Sequence, residues 1–170
     1  MQIRLPESID PFQLANNGER LEGSINIKSM GRLAPALHDT VGDIHVVLEF
    51  GLDEFRQPMV RGRLTGKLAM VCQRCLEPFQ QPIDSRFLLG LVKNEYQMGR
   101  LSDEYEPLLV TEVPTALAAI VEDEVLLVLP IVATHLPGTC KLVKLEQRAD
   151  TTGTVTRPNP FAVLKDLKKT

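Results

Sequence analysis

This 170-residue chain lacks any long apolar run: the longest, residues 125–133, contains Pro130 and falls far short of the roughly 20 residues needed to cross a bilayer. No membrane span is expected. The first residues lack the apolar centre of a secretory signal and soon meet Asp10 and Pro11, so the sequence reads as cytoplasmic. Positive charge is not in excess either. With 19 Lys and Arg against 22 Asp and Glu, the net charge of -3 excludes a uniformly basic nucleic-acid glove and leaves room only for local contact. Cysteine is scarce and odd in number. Cys72, Cys75 and Cys140 cannot all pair within one chain, and a reducing compartment disfavours disulfides, so they read as packed thiols or ligands.

Catalytic signatures are missing as well. There is no G-x-S-x-G, no H-E-x-x-H and no dinucleotide fingerprint, and His38 and His45 have no identifiable nucleophile beside them. Gly62-Arg-Leu-Thr-Gly66-Lys67 has three residues between its glycines, where a phosphate loop needs four, and Leu68 follows the lysine. Glu122, Asp123 and Glu124 are consecutive, so on a helix they point around the axis rather than toward one substrate; they read as a solvated or protein-binding acidic face. Nothing argues for an enzyme.

What is present is enough apolar material, 44% of residues, to bury one core. Leu21, Gly23, Ile25 and Ile27 alternate with polar neighbours, as do Ile44, Val46, Leu48, Phe50 and Leu52, the period-2 pattern of half-buried strands. From Val60 to Met70 the same alternation puts Val60, Gly62, Leu64, Gly66, Leu68 and Met70 on one face and Arg61, Arg63, Thr65 and Lys67 on the other. The two glycines suggest bulges or close backbone approach. A strand around residues 79–92 pairs back after the turn at 72–78, so residues 42–93 read as an antiparallel meander.

Helical signals are shorter. A turn-rich helix near residues 30–38 is weakened by Gly31 and Pro35. From Thr115, a plausible N-cap, Leu117, Ile120, Val121, Val125 and Val128 have helical spacing, and Pro130 ends the element. Near the end Asn159 caps, Pro160 fits the first helical position, and Phe161, Leu164 and Leu167 make an apolar stripe. The fold class is therefore α+β: a mainly antiparallel, curved sheet with a few short helices and a flexible C-terminal region. The expected division is a single domain over 1–140, a polar linker over 141–157 and a basic amphipathic tail helix over 158–170.

Charge is unevenly spread. Residues 1–55 carry a net -5, residues 56–93 a net +5 and residues 94–127 a net -7, and the last 14 residues return to +3. An acidic body can bring two basic stretches together into a patch that the total conceals, or the blocks can neutralise one another within the fold. The candidate contacts to RNA or a partner are Arg61, Arg63, Lys67, Arg74, Phe161, Leu164, Lys165, Lys168 and Lys169. Each phosphate neutralised by such cations adds a salt-dependent term to affinity.

Cys72-Gln-Arg-Cys75 can place two thiolates on one side of a tight turn, as a tetrahedral metal requires. Redox chemistry ranks last, because such a motif normally opens a helix and here Pro78 and a β pattern follow. The sensible further ligands are His135 and Cys140. Two readings stand: a structural zinc held by Cys72, Cys75, His135 and Cys140, or a metal-free turn with small buried thiols. The expectation is the second, with at most partial zinc.

Four blocks in order, Cys72-Gln-Arg-Cys75-Leu-Glu-Pro-Phe79, Val121-Glu-Asp-Glu-Val-Leu-Leu-Val-Leu-Pro130, His135 with Cys140, and Pro158-Asn-Pro-Phe-Ala-Val-Leu164, resemble the YceD family, the large ribosomal RNA subunit accumulation proteins. The resemblance implies a bacterial, non-enzymatic factor for 23S rRNA accumulation or processing, with a fold of curved antiparallel sheet plus helices. It implies as partners the 23S rRNA precursor or immature large subunit, or a protein assembly factor or ribonuclease, and no membrane. A second reading is an adaptor that recruits a ribonuclease or ribosomal protein through the acidic helix without touching RNA. Some members resemble zinc ribbons with a second cysteine pair after the helix; here His135 and Cys140 stand in that place.

Overall fold

The computed structural model describes residues 5–136 and 138–140. The expected linker over 141–157 and tail helix over 158–170, with its candidate contacts, lie outside the described residues.

Asp10 accepts hydrogen bonds from the backbone N–H groups of Phe12 and Gln13, Pro11 occupies the first turn, and Gly18 closes the element with φ of 66°, so α1 (Pro11–Asn17) has a complete set of start and stop residues. Four antiparallel strands follow: β2 (Arg20–Asn26), β3 (Asp43–Leu52), β4 (Pro58–Val71) and β5 (Pro78–Val92). The predicted meander is present and extends back to β2. A strand not anticipated, β6 (Glu106–Leu109), adds to β5 in parallel, reached through the short helix α2 (Glu95–Met98), giving the order β2-β3-β4-β5-β6. The sheet is thus mixed, though mainly antiparallel. Two-residue strands β1 (Ser8–Ile9) and β7 (Thr115–Ala116) pair with each other before the last helix, α3 (Leu117–Val128).

Alternation decides what faces the core. Ile44, Val46, Leu48 and Phe50 of β3, Val60, Leu64 and Leu68 of β4, and Phe87, Leu89 and Leu91 of β5 are buried in one cluster with Ala15 of α1 and Leu117, Ile120, Val121 and Val125 of α3. Each such aliphatic side chain taken out of water contributes about 1.5–3 kcal/mol. Gly62 is part of this face because the Phe87 ring lies directly against its backbone, where a Cβ would overlap the ring. Close approach, and not a bulge, is therefore what Gly62 serves, since the β3–β4 and β4–β5 pairings run through it without interruption.

Three expectations need correcting. Thr115 does not cap α3: it pairs with Ile9, its hydroxyl donates to the Glu112 carbonyl, and Ala116 stands at the cap position without a side-chain bond. The helix does stop before Pro130, with Leu129 already extended at ψ of 137°, as a residue preceding proline prefers. Residues 30–38 form no helix of that length, only one 3₁₀ turn at Ala34–Ala36, with Pro35 inside it, and a second such turn precedes the range at Ile27–Ser29. The acidic triplet is not a solvated face, because Glu122 and Glu124 are buried and only Asp123 is exposed.

Candidate metal centre and basic sheet face

The long β4–β5 hairpin turns at residues 72–77. There the Cys72 N–H donates to the Glu77 carbonyl, the Leu76 N–H donates to the Cys72 carbonyl, and Leu76 takes a positive φ of 61°. This tight reversal presents both sulfurs on one side. The chain returns to it after α3, where Gln73 N–H donates to the Ala133 carbonyl at 2.8 Å and carries His135 and Cys140 to the hairpin tip. The Phe79 ring packs on His135 with centroids 4.9 Å apart.

Cys72, Cys75, His135 and Cys140 thereby offer four ligand atoms within 4.8 Å of one another. The Cys72 and Cys140 sulfurs are 3.9 Å apart, and His135 Nδ1 lies 3.3 Å from the Cys75 sulfur. A tetrahedral zinc with Zn–S near 2.3 Å and Zn–N near 2.0–2.1 Å separates its ligands by about 3.8 Å for two sulfurs and about 3.6 Å for sulfur and nitrogen. The spacing fits that ion, and the free thiols are too far apart for the roughly 2.05 Å bond of a disulfide. Electrostatics agree. Burial works against the Cys72 thiolate, yet the backbone N–H groups of His135, Cys75 and Arg74 and the His135 ring bring its pKa down to about 5. Burial, hydrogen bonds with Cys75 and Cys72, and the proximity of their charge push Cys140 up to about 11. Thiols crowded in this way repel as anions, a cost that a cation among them removes.

The basic residues on β4 share the sheet face opposite the core. Arg61, Arg63 and Lys67 are exposed there, while Arg74 is exposed in the Cys72–Cys75 loop, at the tip of the hairpin. Two arginines that sequence reasoning missed join them. Arg86 stands directly across from Arg63, and Arg20 lies two strands from Arg61, in the row that reads Arg20, Glu49, Arg61, Leu88. Arg63 is gripped by both oxygens of Asp84 at 2.9 and 2.8 Å, which holds Asp84 below the usual carboxylate range and Arg63 above its own ordinary value. Arg20 bonds Glu22 at 2.8 Å and reaches Glu49 at 3.5 Å. For Arg61, Arg86 and Lys67 no ion pair occurs among the described residues. A groove of about 350 Å³ runs between Arg20, Arg61, Arg63 and Arg86, with Val47, Glu49 and Gly62 completing its lining.

Comparison with known proteins now adds to this geometry. A family profile described as "Large ribosomal RNA subunit accumulation protein YceD" matches residues 60–168. The chain belongs to the YceD family. It is 31% identical to a Haemophilus influenzae protein named "Large ribosomal RNA subunit accumulation protein YceD", over 99% of this chain and 98% of that one. No solved structure matches. The profile's span contains the β4–β5 hairpin from Val60 onward, with Arg61, Arg63, Lys67 and Arg86 of its basic face, and all four metal-ligand candidates. Among the described residues, no helix is long and apolar enough to cross a membrane.

Proposed function

We propose that this YceD-family chain serves the accumulation or processing of 23S rRNA by binding the RNA precursor on the immature large subunit, without catalysis. The observation that carries this is the opposition of Arg63 and Arg86 in the β4–β5 register, flanked by Arg61 and Arg20 around one groove. Like charges directly opposite destabilise a strand pair, and Asp84 offsets only part of that cost. Phosphate oxygens supply the missing counter-charge, and the planar fork of arginine can bond two of them at once. The name of the Haemophilus influenzae relative points to the same RNA.

Lys67 and Arg74 extend this contact along β4 toward the hairpin tip. In this reading Phe161 and Leu164 dock on a ribosomal partner, with Lys165, Lys168 and Lys169 adding attraction for its phosphates. Cys72, Cys75, His135 and Cys140 hold one structural zinc, since four protein ligands leave no open position for a reacting group. Its work is to fasten the segment after α3 to the hairpin tip. The acidic helix suits an adaptor poorly, because Glu122 and Glu124 are buried and Asp123 is paired with Arg32 at 2.6 Å.

The test is recovery of the tagged protein from cells at low salt, followed by sequencing of bound RNA and identification of bound proteins. Enrichment of 23S precursor is the expected result. Enrichment of a ribonuclease or ribosomal protein that survives nuclease treatment, with no RNA, would favour the adaptor. Enrichment of neither would overturn the reading.

A further inference from the structure

At the end of the sheet away from the cysteine loop, where β4 begins at Pro58 and β5 ends at Val92, a second cleft of about 550 Å³ opens between α1 and α2. Its lining combines four chemistries. Pro58, Leu91 and Val92 supply apolar surface from the strand ends, and Phe12 and Tyr96 supply two aromatic rings from the two helices. Each ring carries a cation: Lys93 Nζ lies 4.9 Å from the centre of Phe12, and the Arg100 guanidinium lies 5.4 Å from that of Tyr96 while donating to its hydroxyl at 2.6 Å. Asn16 and Gln97 add carboxamides. Gln97 is held in place by the Lys93 N–H, which donates to its Oε1 at 2.7 Å, so its NH₂ group remains to donate.

Tyr96 is 71% exposed, so its ring is available to a ligand while Arg100 holds its hydroxyl. Aromatic faces that accept a flat ring, amides that bond its edge and cations for an attached phosphate are together the requirements of one nucleotide. A base paired in a duplex cannot offer its face, so the occupant must be unstacked. The cleft lies near the basic residues but on the other side of the sheet: Pro58 shares the core-side face with Val60, while Arg61, three residues and about 10 Å along β4, points to the opposite face, so an RNA chain reaches both by turning around the end of the sheet.

We infer that this cleft receives a single unstacked nucleotide of the RNA whose backbone crosses the Arg61–Arg63–Arg86 face, so that the protein prefers single-stranded segments to duplex. This rests on the RNA-binding reading above. Tyr96 is the stacking platform, and Lys93 and Arg100 meet the adjoining phosphate.

The chain has two tyrosines and no tryptophan, so Tyr105→Phe leaves Tyr96 as the sole strong intrinsic fluorophore. The probes are a mixed-sequence 12-nucleotide single-stranded RNA and the blunt duplex of the same sequence. The single strand is expected to quench Tyr96 fluorescence by more than half, and the duplex to leave it unchanged. Tyr96→Ala should weaken single-strand binding about tenfold, the loss of one base–aromatic stack, without altering duplex affinity or the salt slope; Tyr96→Phe should bind as the parent does. Exposure of this side chain means that the alanine variant keeps the fold, which its melting curve checks. Single strand that binds with steep salt dependence yet neither quenches Tyr96 nor responds to Tyr96→Ala would overturn the cleft and leave the basic face standing. Absence of any RNA binding at low salt would overturn both.

Discussion

Arg32 and Arg63 each reach a carboxylate across the fold, and their surroundings differ in one respect. Around Arg32 the acids outnumber the base. Glu122 on α3 accepts the backbone N–H groups of Arg32 and Leu33 at 2.6 and 2.9 Å and the Arg32 Nε at 3.1 Å, while Asp123 takes the far end of the guanidinium. These bonds pin the segment before β3 to the last helix. Around Arg63 the bases outnumber the acid, with Arg86 opposite and Arg61 in the next row, while Arg32 and Arg63 themselves are about equally exposed. The first cluster is closed and structural. The second keeps an excess of positive charge, as the proposed contact with RNA phosphates requires.

The strongest way to sharpen this contrast lies at the hairpin tip, which ties the two regions together. Cys75→Ser, or treatment with a strong chelator, should lower stability by about 4 kcal/mol, the linkage value for free zinc a thousandfold above its dissociation constant. Elemental analysis should give one zinc per chain before treatment and none after. A metal-free protein that melts identically in chelator would remove the ion from the account and leave a turn of packed thiols.

Next comes Glu122→Ala, which strands the Leu33 N–H in a buried site and leaves Arg32 paired with Asp123 alone. A loss of about 2–3 kcal/mol in denaturant melts is expected, with RNA affinity unchanged for the folded fraction. A loss under about 0.5 kcal/mol would mean that this cluster is not structural.

Glu124, two residues further along α3, tests the same helix through pH. Burial, with Glu106 and Asp123 nearby, raises its carboxyl to about 7 from an ordinary 4.5. The folded state therefore holds this proton more tightly than the unfolded chain does. Its contribution is most favourable at acid pH and declines as pH rises from 4.5 through 7. Glu124→Gln should gain stability on the order of 2 kcal/mol at pH 8 and much less at pH 5.5, read from thermal melts at both. An equal gain at both values would show that the shift is not the cause.

The smallest effect is expected on the open face. Arg86→Ala should change stability by less than about 0.5 kcal/mol, or raise it, because it relieves Arg63 of a like charge. A clear loss, above about 1 kcal/mol, would place Arg86 with Arg32 as a structural group.

Much of this was legible from residue order alone. Period-2 alternation exposed β2, β3 and β4 because each has one wet face, β5 followed from the turn that reverses the chain after Cys72, and helical spacing exposed α3. The helix α1 escaped because seven residues are too few to display a 3.6-residue period, although Asp10, Pro11 and Gly18 mark its ends. The parallel strand β6 leaves no pattern, since two of its four residues are Glu106 and Pro107 and its partner is set by tertiary placement. Arg86 was within reach: once Val71 pairs with Pro78 across the cysteine turn, counting back along the antiparallel register puts Arg63 against Arg86. Glu122 was not, because an acid that turns inward to cap a distant loop looks the same in sequence as one facing water. His135 and Cys140 were named as ligands, but only the return of the chain to Gln73 through Ala133 brings them to the first pair.

The central claim, that the face around Arg61, Arg63 and Arg86 binds RNA phosphates, is tested most directly by the salt dependence of affinity for a 23S precursor fragment. In Arg61→Ala/Arg86→Ala the slope of log affinity against log salt should fall by roughly 1.4 to 1.8, one counterion contribution for each of two lost phosphate contacts, while the melting temperature holds. A double variant that binds with the parent's slope and affinity would contradict the account.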